Sequence, residues 1–152
     1  MKLDRTDKQL INILQTNSKQ TTKQLSLQLH LSITAVYERI KKLEKAAIIK
    51  KYVAIINRNK IERSFLVFCH IKLIQHSKEF VTNFEREILK LKEVSECFHV
   101  SGDYDYILKV YVKDMDSYRE FMITKLTAIK HIGSTQSYFA IGEVKNDTLI
   151  KL

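Results

Sequence analysis

The sequence contains no proline and only three glycines. A boundary between domains therefore carries no proline or glycine signal and has to be read from other features. Two cysteines, Cys69 and Cys97, are too few for a disulfide scaffold. Each lies close to a histidine, as Cys69-His70 and Cys97-Phe98-His99. Neighbouring residues on a strand point to opposite faces, which argues against a zinc site and leaves buried thiols as the reading. No run of about 18 apolar residues occurs, so no membrane span is expected. The opening MKLDRTDKQL lacks an apolar signal core, which makes the cytoplasm the expected location. There is no low-complexity segment, no phosphate loop, no nucleophile-base pair and no metal-ligand spacing. An enzyme is not expected, and neither is a cofactor.

What is present is a charge imbalance. The first 63 residues hold fourteen Lys and Arg against five acids, a difference equal to the whole formal charge of +9. The remaining 89 residues balance twelve basic side chains with twelve acidic ones. Such asymmetry points to a polyanionic partner for one half only. It also suggests two small domains within 152 residues, each near the size at which a core is marginal and association with further copies helps.

The basic half reads as three helices. Asp4 caps the first, with Asp7 completing a capping-box-like pattern, and Leu10, Ile11 and Leu14 share one face. A short helix follows Thr21-Thr22 with Leu25 and Leu29. His30-Leu31-Ser32 makes the turn, and Ser32 caps a third helix whose stripe is Ile33, Val36, Ile40 and Leu43. Two helices joined by a tight turn, the second basic on its outer face, fit a DNA-binding helix-turn-helix. Ser32, Thr34 and Ala35 would meet base edges, Tyr37 and Glu38 could reach further bases, and Arg39, Lys41 and Lys42 are placed for phosphates. Glu38 is repulsive near DNA unless it accepts from a cytosine amine or pairs with Lys41 or Lys42. Lysines on a helix are more often just a solvated face. The case rests on the short helix, tight turn, capped second helix and net charge occurring together.

After Lys50-Lys51 a β-rich run, Tyr52–Ile56, reads as a strand, and Asn57 to Arg63 as a polar linker. Six elements follow: a strand from Phe65 to Ile74, a helix from Ser77 to Leu91, strands at Val94–Ser101 and Tyr106–Val112, a helix from about Asp116 to Ile129, and a strand at Ser134–Val144. The order β-α-β-β-α-β is the ferredoxin-like split motif. Two helices on one face would leave the other face of the sheet to be buried against another copy. The fold class is α+β: residues 1–50 a helix-turn-helix (winged-helix-like) domain, 51–63 strand and linker, 64–152 a ferredoxin-like domain.

Read together, these residues resemble the Lrp/AsnC family of bacterial and archaeal transcription regulators. The likeness covers essentially the whole chain. It is carried by Leu3-Asp4-Arg5-Thr6-Asp7, Leu31-Ser32-Ile33-Thr34-Ala35-Val36, Arg39-Ile40-Lys41-Lys42-Leu43-Glu44 and Ile48-Ile49-Lys50-Lys51-Tyr52. In the second half it is carried by Val100-Ser101-Gly102-Asp103-Tyr104-Asp105-Tyr106, Asp114-Met115-Asp116-Ser117-Tyr118, Thr135-Gln136-Ser137-Tyr138 and Glu143-Val144-Lys145. One departure is Ala47, where the family usually has glycine after the third helix. The resemblance implies a homodimer that assembles into a homo-octamer as a tetramer of dimers. It also implies an amino-acid effector bound between dimers. Carried over, the effector residues are Gly102, Asp103, Tyr104, Asp105, Thr135, Gln136 and Ser137. A glycine-aspartate turn between strands is, without the resemblance, an ordinary hairpin. The expected function is a sequence-specific regulator on double-stranded DNA that answers to a small effector. The alternative is an architectural nucleoid-type protein with little sequence discrimination and no effector.

Overall fold

A computed structural model describes residues 2–146 and 148–152. The chain divides into two compact units: residues up to Ile55 together with Lys145–Leu152, and Ile56–Val144. A single cut in the sequence therefore does not separate them, because residues after the sheet belong with the helices before it.

The helical unit holds α1 (Arg5–Thr16), α2 (Thr22–Leu29) and α3 (Ile33–Lys45). Both first helices begin with complete capping boxes. The Asp7 N–H donates to Asp4 Oδ1 at 2.7 Å and the Asp4 N–H to Asp7 Oδ2 at 3.2 Å, and Thr21 and Gln24 exchange the same bonds. Leu10, Ile11, Leu14, Leu25, Val36 and Leu43 form one buried cluster. Its surroundings include Ile40 and Ile49, both half-buried.

The end of α3 keeps a shape that normally calls for glycine. Ala47 has φ +54°. The Ile48 N–H donates to the Leu43 carbonyl at 3.0 Å and the Ala47 N–H to Glu44 at 2.9 Å, the paired bonds of a Schellman stop. Here alanine accepts the left-handed cost so that the carbonyls of the last turn stay bonded.

Two amides on α1 hold the segment that returns to this unit. Gln15 exchanges two hydrogen bonds of 2.9 Å with the Ile150 backbone. Asn12 exchanges two of 3.4 Å with Leu152. Both side chains present a donor and an acceptor, as a neighbouring strand would. The run Tyr52–Ile56, expected as a strand, pairs with no strand among the described residues. Val53, Ile55 and Ile56 stay exposed. Their β propensity finds no ladder among the described residues, and propensity without a partner does not make a strand.

The second unit begins with a 3₁₀ turn at Arg58–Ile61. Arg58 lies 4.4 Å from the Tyr111 ring and 2.7 Å from Glu143. Strands β1 (Phe65–Leu73), β2 (Val94–His99), β3 (Tyr106–Val112) and β4 (Ile132–Phe139) form an antiparallel sheet in the order β2-β3-β1-β4. Helices α4 (Lys78–Ile88) and α5 (Met115–Phe121) are capped by Ser77 and Asp114. Residue alternation sorts the sheet into two faces. Val67, Cys69, Ile71 and Leu73 of β1 join Tyr106, Leu108, Val110 and Val112 of β3 in a core with Phe84, Ile88, Tyr118 and Phe121. The opposite face carries Phe68, His70, Phe98, Ile107, Tyr111 and Tyr138.

Several boundaries differ from the sequence reading. Asp114, not Asp116, caps α5. The helix continues as a π turn over Met122–Leu126, in which the Thr127 N–H reaches back to the Met122 carbonyl at 3.0 Å. Strand β4 stops at Phe139 rather than Val144, since pairing with β1 extends only to the Ala140 N–H bonded to Leu66. Cys69 lies in the core and His70 on the open face, so the two point apart. Burial pushes the Cys69 thiol up. Burial, with Glu85 nearby, takes Cys97 up to about 11, so it stays a thiol at neutral pH.

Replacing Ala47 with glycine relieves the left-handed cost and should raise the unfolding free energy of the helical unit by about 1 kcal/mol. Denaturant unfolding followed by helical circular dichroism reads this directly. A valine at the same position should lower it.

Candidate nucleic-acid interface and ligand turn

The turn between α2 and α3 is built by three local devices. His30 takes a left-handed conformation (φ +53°) that ends α2. The Leu31 N–H then bonds the Ser26 carbonyl at 3.0 Å. Ser32 Oγ accepts from the Ala35 N–H at 3.1 Å and starts α3. At about 100° per residue, Val36, Ile40 and Leu43 define the inward side of α3. Thr34, Glu38, Lys41, Lys42 and Lys45 point the other way. All five are exposed, with Ser32 and Tyr37, while Ala35 is half-buried.

Arg39 departs from the expectation that it meets a phosphate. Its Nη1 lies 2.7 Å from Asp4 Oδ2 and 2.6 Å from Asp7 Oδ1. At about 100° per residue Arg39 falls toward the α1 side of α3, not the outer face, and Asp7 is nearly inaccessible. A buried carboxylate has to be matched by a charge or hydrogen bonds, and Arg39 supplies both. The Asp7 N–H first and the Arg39 guanidinium second hold the Asp4 carboxyl below its ordinary range. Asp4 and then Asp7 raise Arg39 further, so it stays charged.

Ile33 also departs from its expected place in the core: half of its surface is exposed at the first position of α3. Its spacing continues the stripe that ends at Leu43, but the first turn of α3 lies at the margin of the core. An exposed isoleucine beside Ser32 and Thr34 suits an apolar contact with a thymine methyl. Glu38 pairs with neither Lys41 nor Lys42 among the described residues, the arrangement that would have neutralised it within the helix. Lys41 bonds Glu44 at 3.1 Å and lies 5.7 Å from the Tyr37 ring. Glu44 also accepts from the Tyr52 hydroxyl at 3.1 Å. Lys41 first and Tyr52 second hold the Glu44 carboxyl low. Glu38, Lys42 and Lys45 make no such bond among the described residues.

The turn between β2 and β3 holds the other candidates. Gly102 has φ +133°, which favours glycine, with open space where a Cβ would stand. Asp103 is exposed. Asp105 is committed to the fold. Its N–H donates to Ile71 at 2.9 Å, its carbonyl accepts from Val100 at 2.9 Å, and its Oδ2 accepts from the Leu73 N–H at 2.7 Å. His76 Nε2 stands 3.6 Å from its other oxygen. Tyr104 bonds Gln136 through its hydroxyl. Tyr104 packs edge-on to His70, which also meets the Tyr138 ring.

Residues 135 to 137 do not share one face of the sheet. Gln136 pairs with His70 in the register and lies on the open face. Thr135 and Ser137 pair with Ile71 and Cys69 and lie on the helix-covered face. There Ser137 shares a 2.6 Å hydrogen bond with Tyr118. The structure therefore brings Tyr104 and Gln136 together with His70 and Tyr138, two residues absent from the expected set. Strand alternation around Gln136 was the signal that could have found His70, through its cross-strand partner.

Comparison with known proteins places these two regions. A family model described as the AsnC-type helix-turn-helix domain matches residues 3–44. One described as the Lrp/AsnC ligand binding domain matches residues 66–150. The leucine-responsive regulatory protein of Escherichia coli (strain K12) is 36% identical over 143 residues, 94% of this chain and 87% of that protein. An AsnC family transcriptional regulator from Agrobacterium tumefaciens superposes with a TM-score of 0.93 at 32% identity, covering 97% of this chain and 96% of its own. A transcriptional regulator from Neisseria meningitidis, solved as a complex with L-Met, gives 0.92 at 28% identity, covering 99% and 96%.

The ion pair to Arg39 yields two expectations. Arg39→Met strands the Asp7 carboxylate and should cost about 2 kcal/mol, less than for a fully buried pair because Arg39 is partly exposed. Denaturant unfolding measures it, and the salt slope of DNA binding by the folded variant should not change. Asp4 has a depressed folded-state pKa, so its contribution is complete above the unfolded value of about 3.9 and disappears as pH falls through the lower folded value. Unfolding series between about pH 2 and pH 5 should show Asp4→Asn lacking part of the wild-type acid dependence.

Proposed function

Because the chain belongs to the Lrp/AsnC family of DNA-binding transcription regulators, we propose that it recognises specific operator sequences through α3 and that an amino acid tunes its DNA affinity or its assembly. The observation that carries the first part is the outer face of α3. Ser32, Thr34, Tyr37 and Glu38 stand exposed where base edges would lie, with half-buried Ala35 behind them. Lys41, Lys42 and Lys45 follow along the same helix toward the backbone. Arg39 is left out of the phosphate set because its guanidinium is bound to Asp4 and Asp7. Two copies of α3, one from each protomer of a dimer, would enter successive major grooves at the half-sites of an inverted repeat.

The effector site is proposed at the turn holding Gly102, Asp103, Tyr104 and Asp105, next to Gln136. Backbone amides in a glycine turn suit a carboxylate, and the exposed Asp103 carboxylate suits an ammonium group. Asp105 would act by holding the turn, since its carboxylate already accepts the Leu73 N–H. Thr135 and Ser137 would act from behind β4, through the face that carries Tyr118. The L-Met complex of the Neisseria meningitidis regulator supports an amino acid as the ligand class. The exposed Phe68, Phe98 and Tyr138 on the open face support a second copy there, and with it a dimer that assembles further into an octamer. A ligand moves that assembly only as far as its affinities for the two states differ.

Competition binding tests this reading. The full-length protein should prefer selected duplexes over random ones by on the order of a thousandfold, and one amino acid of a complete panel should shift that affinity. Equal affinity for all duplexes and no response to any amino acid would leave an architectural DNA-binding protein instead. Lys41→Ala, Lys42→Ala and Lys45→Ala should each reduce the slope of log affinity against log salt by roughly 0.9 for each phosphate that is no longer neutralised.

A further inference from the structure

Glu38 is the acid that the basic face of α3 does not account for. It stands one turn after Thr34 and one before Lys41 and Lys42, at the centre of the outward side. Resting on the reading of α3 as the operator-binding helix, we propose that Glu38 reads cytosine: its carboxylate accepts a hydrogen bond from the N4 amine of one cytosine in each half-site.

Three observations carry this. The first is position. At about 100° per residue, Glu38 lies nearly opposite Val36 and Leu43, both buried, and in line with Thr34 and Lys45. The second is that its carboxylate is free. Among the described residues of the helical unit, Asp4 and Asp7 are tied to Arg39 and Glu44 to Lys41 and Tyr52. Glu38 has no bonded partner among those residues, although Lys41 and Lys42 stand three and four positions on. Lys41, one of the two cations that could have neutralised it, is turned to Glu44, and Lys42 makes no bond to it among the described residues. The third is exposure without packing: nothing in the fold requires an acid at this place.

The chemistry then selects the base. A carboxylate entering the major groove is repelled by phosphates and by the acceptor edges of guanine and thymine. Only the amines of cytosine and adenine can donate to it. Adenine sets the N7 acceptor beside its amine, which a carboxylate cannot satisfy, whereas cytosine sets a C–H there. Any other base at that position strands a charge without a matching donor, so the same residue rewards one base and penalises three.

Selection from randomised duplexes with the full-length wild type should give one position per half-site at which cytosine is preferred by about tenfold or more. Glu38→Ala should erase the preference there, leave the other positions unchanged and tighten binding to random duplexes. Glu38→Gln should move the preference to adenine, whose N6 and N7 match a side-chain amide. Both substitutions are at an exposed site, and unchanged unfolding curves confirm that the helix is intact. If Glu38→Ala tightens binding to every duplex equally and keeps the wild-type base preferences, Glu38 only repels and the proposal falls alone. If the wild type itself shows no base preference, the operator-reading role of α3 falls and this proposal falls with it.

Discussion

The helical unit depends on one buried carboxylate. Asp7 is enclosed between α1 and α3, and among the described residues the cation that reaches it is Arg39. Satisfying Asp7 ties the middle of α3 to the first turn of α1, where Asp7 is also half of the capping box. One guanidinium therefore serves helix initiation, helix docking and charge burial together. Desolvation of Asp7 offsets part of the attraction, while the contact holds α1 and α3 in one arrangement. That arrangement is what leaves Thr34, Glu38, Lys41, Lys42 and Lys45 on the outside. The basic excess of the first half is consequently divided: Arg39 holds the scaffold and the lysines face outward.

The sheet of the second unit works by alternation. Each strand sends every other residue into the helix-covered core and the rest to the open face. This makes neighbours in sequence serve different ends. Gln136 meets Tyr104 and His70 on the open face, while Ser137 meets Tyr118 among the core residues. Asp105 stands where the turn rejoins β3 and clamps it to the end of β1 through backbone groups of Ile71 and Leu73. A change in the turn at Gly102 is thus linked by hydrogen bonds to β1, and a change at Gln136 is one residue removed from a half-buried pair of hydroxyls.

Local chemistry was readable from the sequence where a few adjacent residues decide it. Asp4 with Asp7 and Ser32 cap as expected, and the core stripes of α1 and α4 are regular. The split of charge between the halves and the βαββαβ order follow from composition and periodicity alone. What escaped was whatever a distant residue decides. The commitment of Arg39 depends on an acid 32 positions away. Ile33 has the spacing of a core residue, yet half of it meets solvent. Tyr52–Ile56 has strand composition but pairs with no strand among the described residues. His70 joined Tyr104 and Gln136 only through its register opposite Gln136. The Ala47 departure, by contrast, could be judged from the sequence, since the cost falls on one residue's own backbone and the conformation is kept.

The peptide held by Asn12 and Gln15 bears on how the molecule comes into being. The three helices leave the ribosome before the sheet, yet Ile150 and Leu152 leave it after the whole of the sheet. The unit synthesised earlier is thus the one whose contacts are completed later. During translation α1 must wait with its amides facing water while a domain of non-local strand pairings, intrinsically slower to form, is made in the interval. Completion of the helix-turn-helix unit is thereby timed to follow synthesis of the ligand-binding unit, an order of events set by nothing more than where the segment Lys145–Leu152 comes to rest.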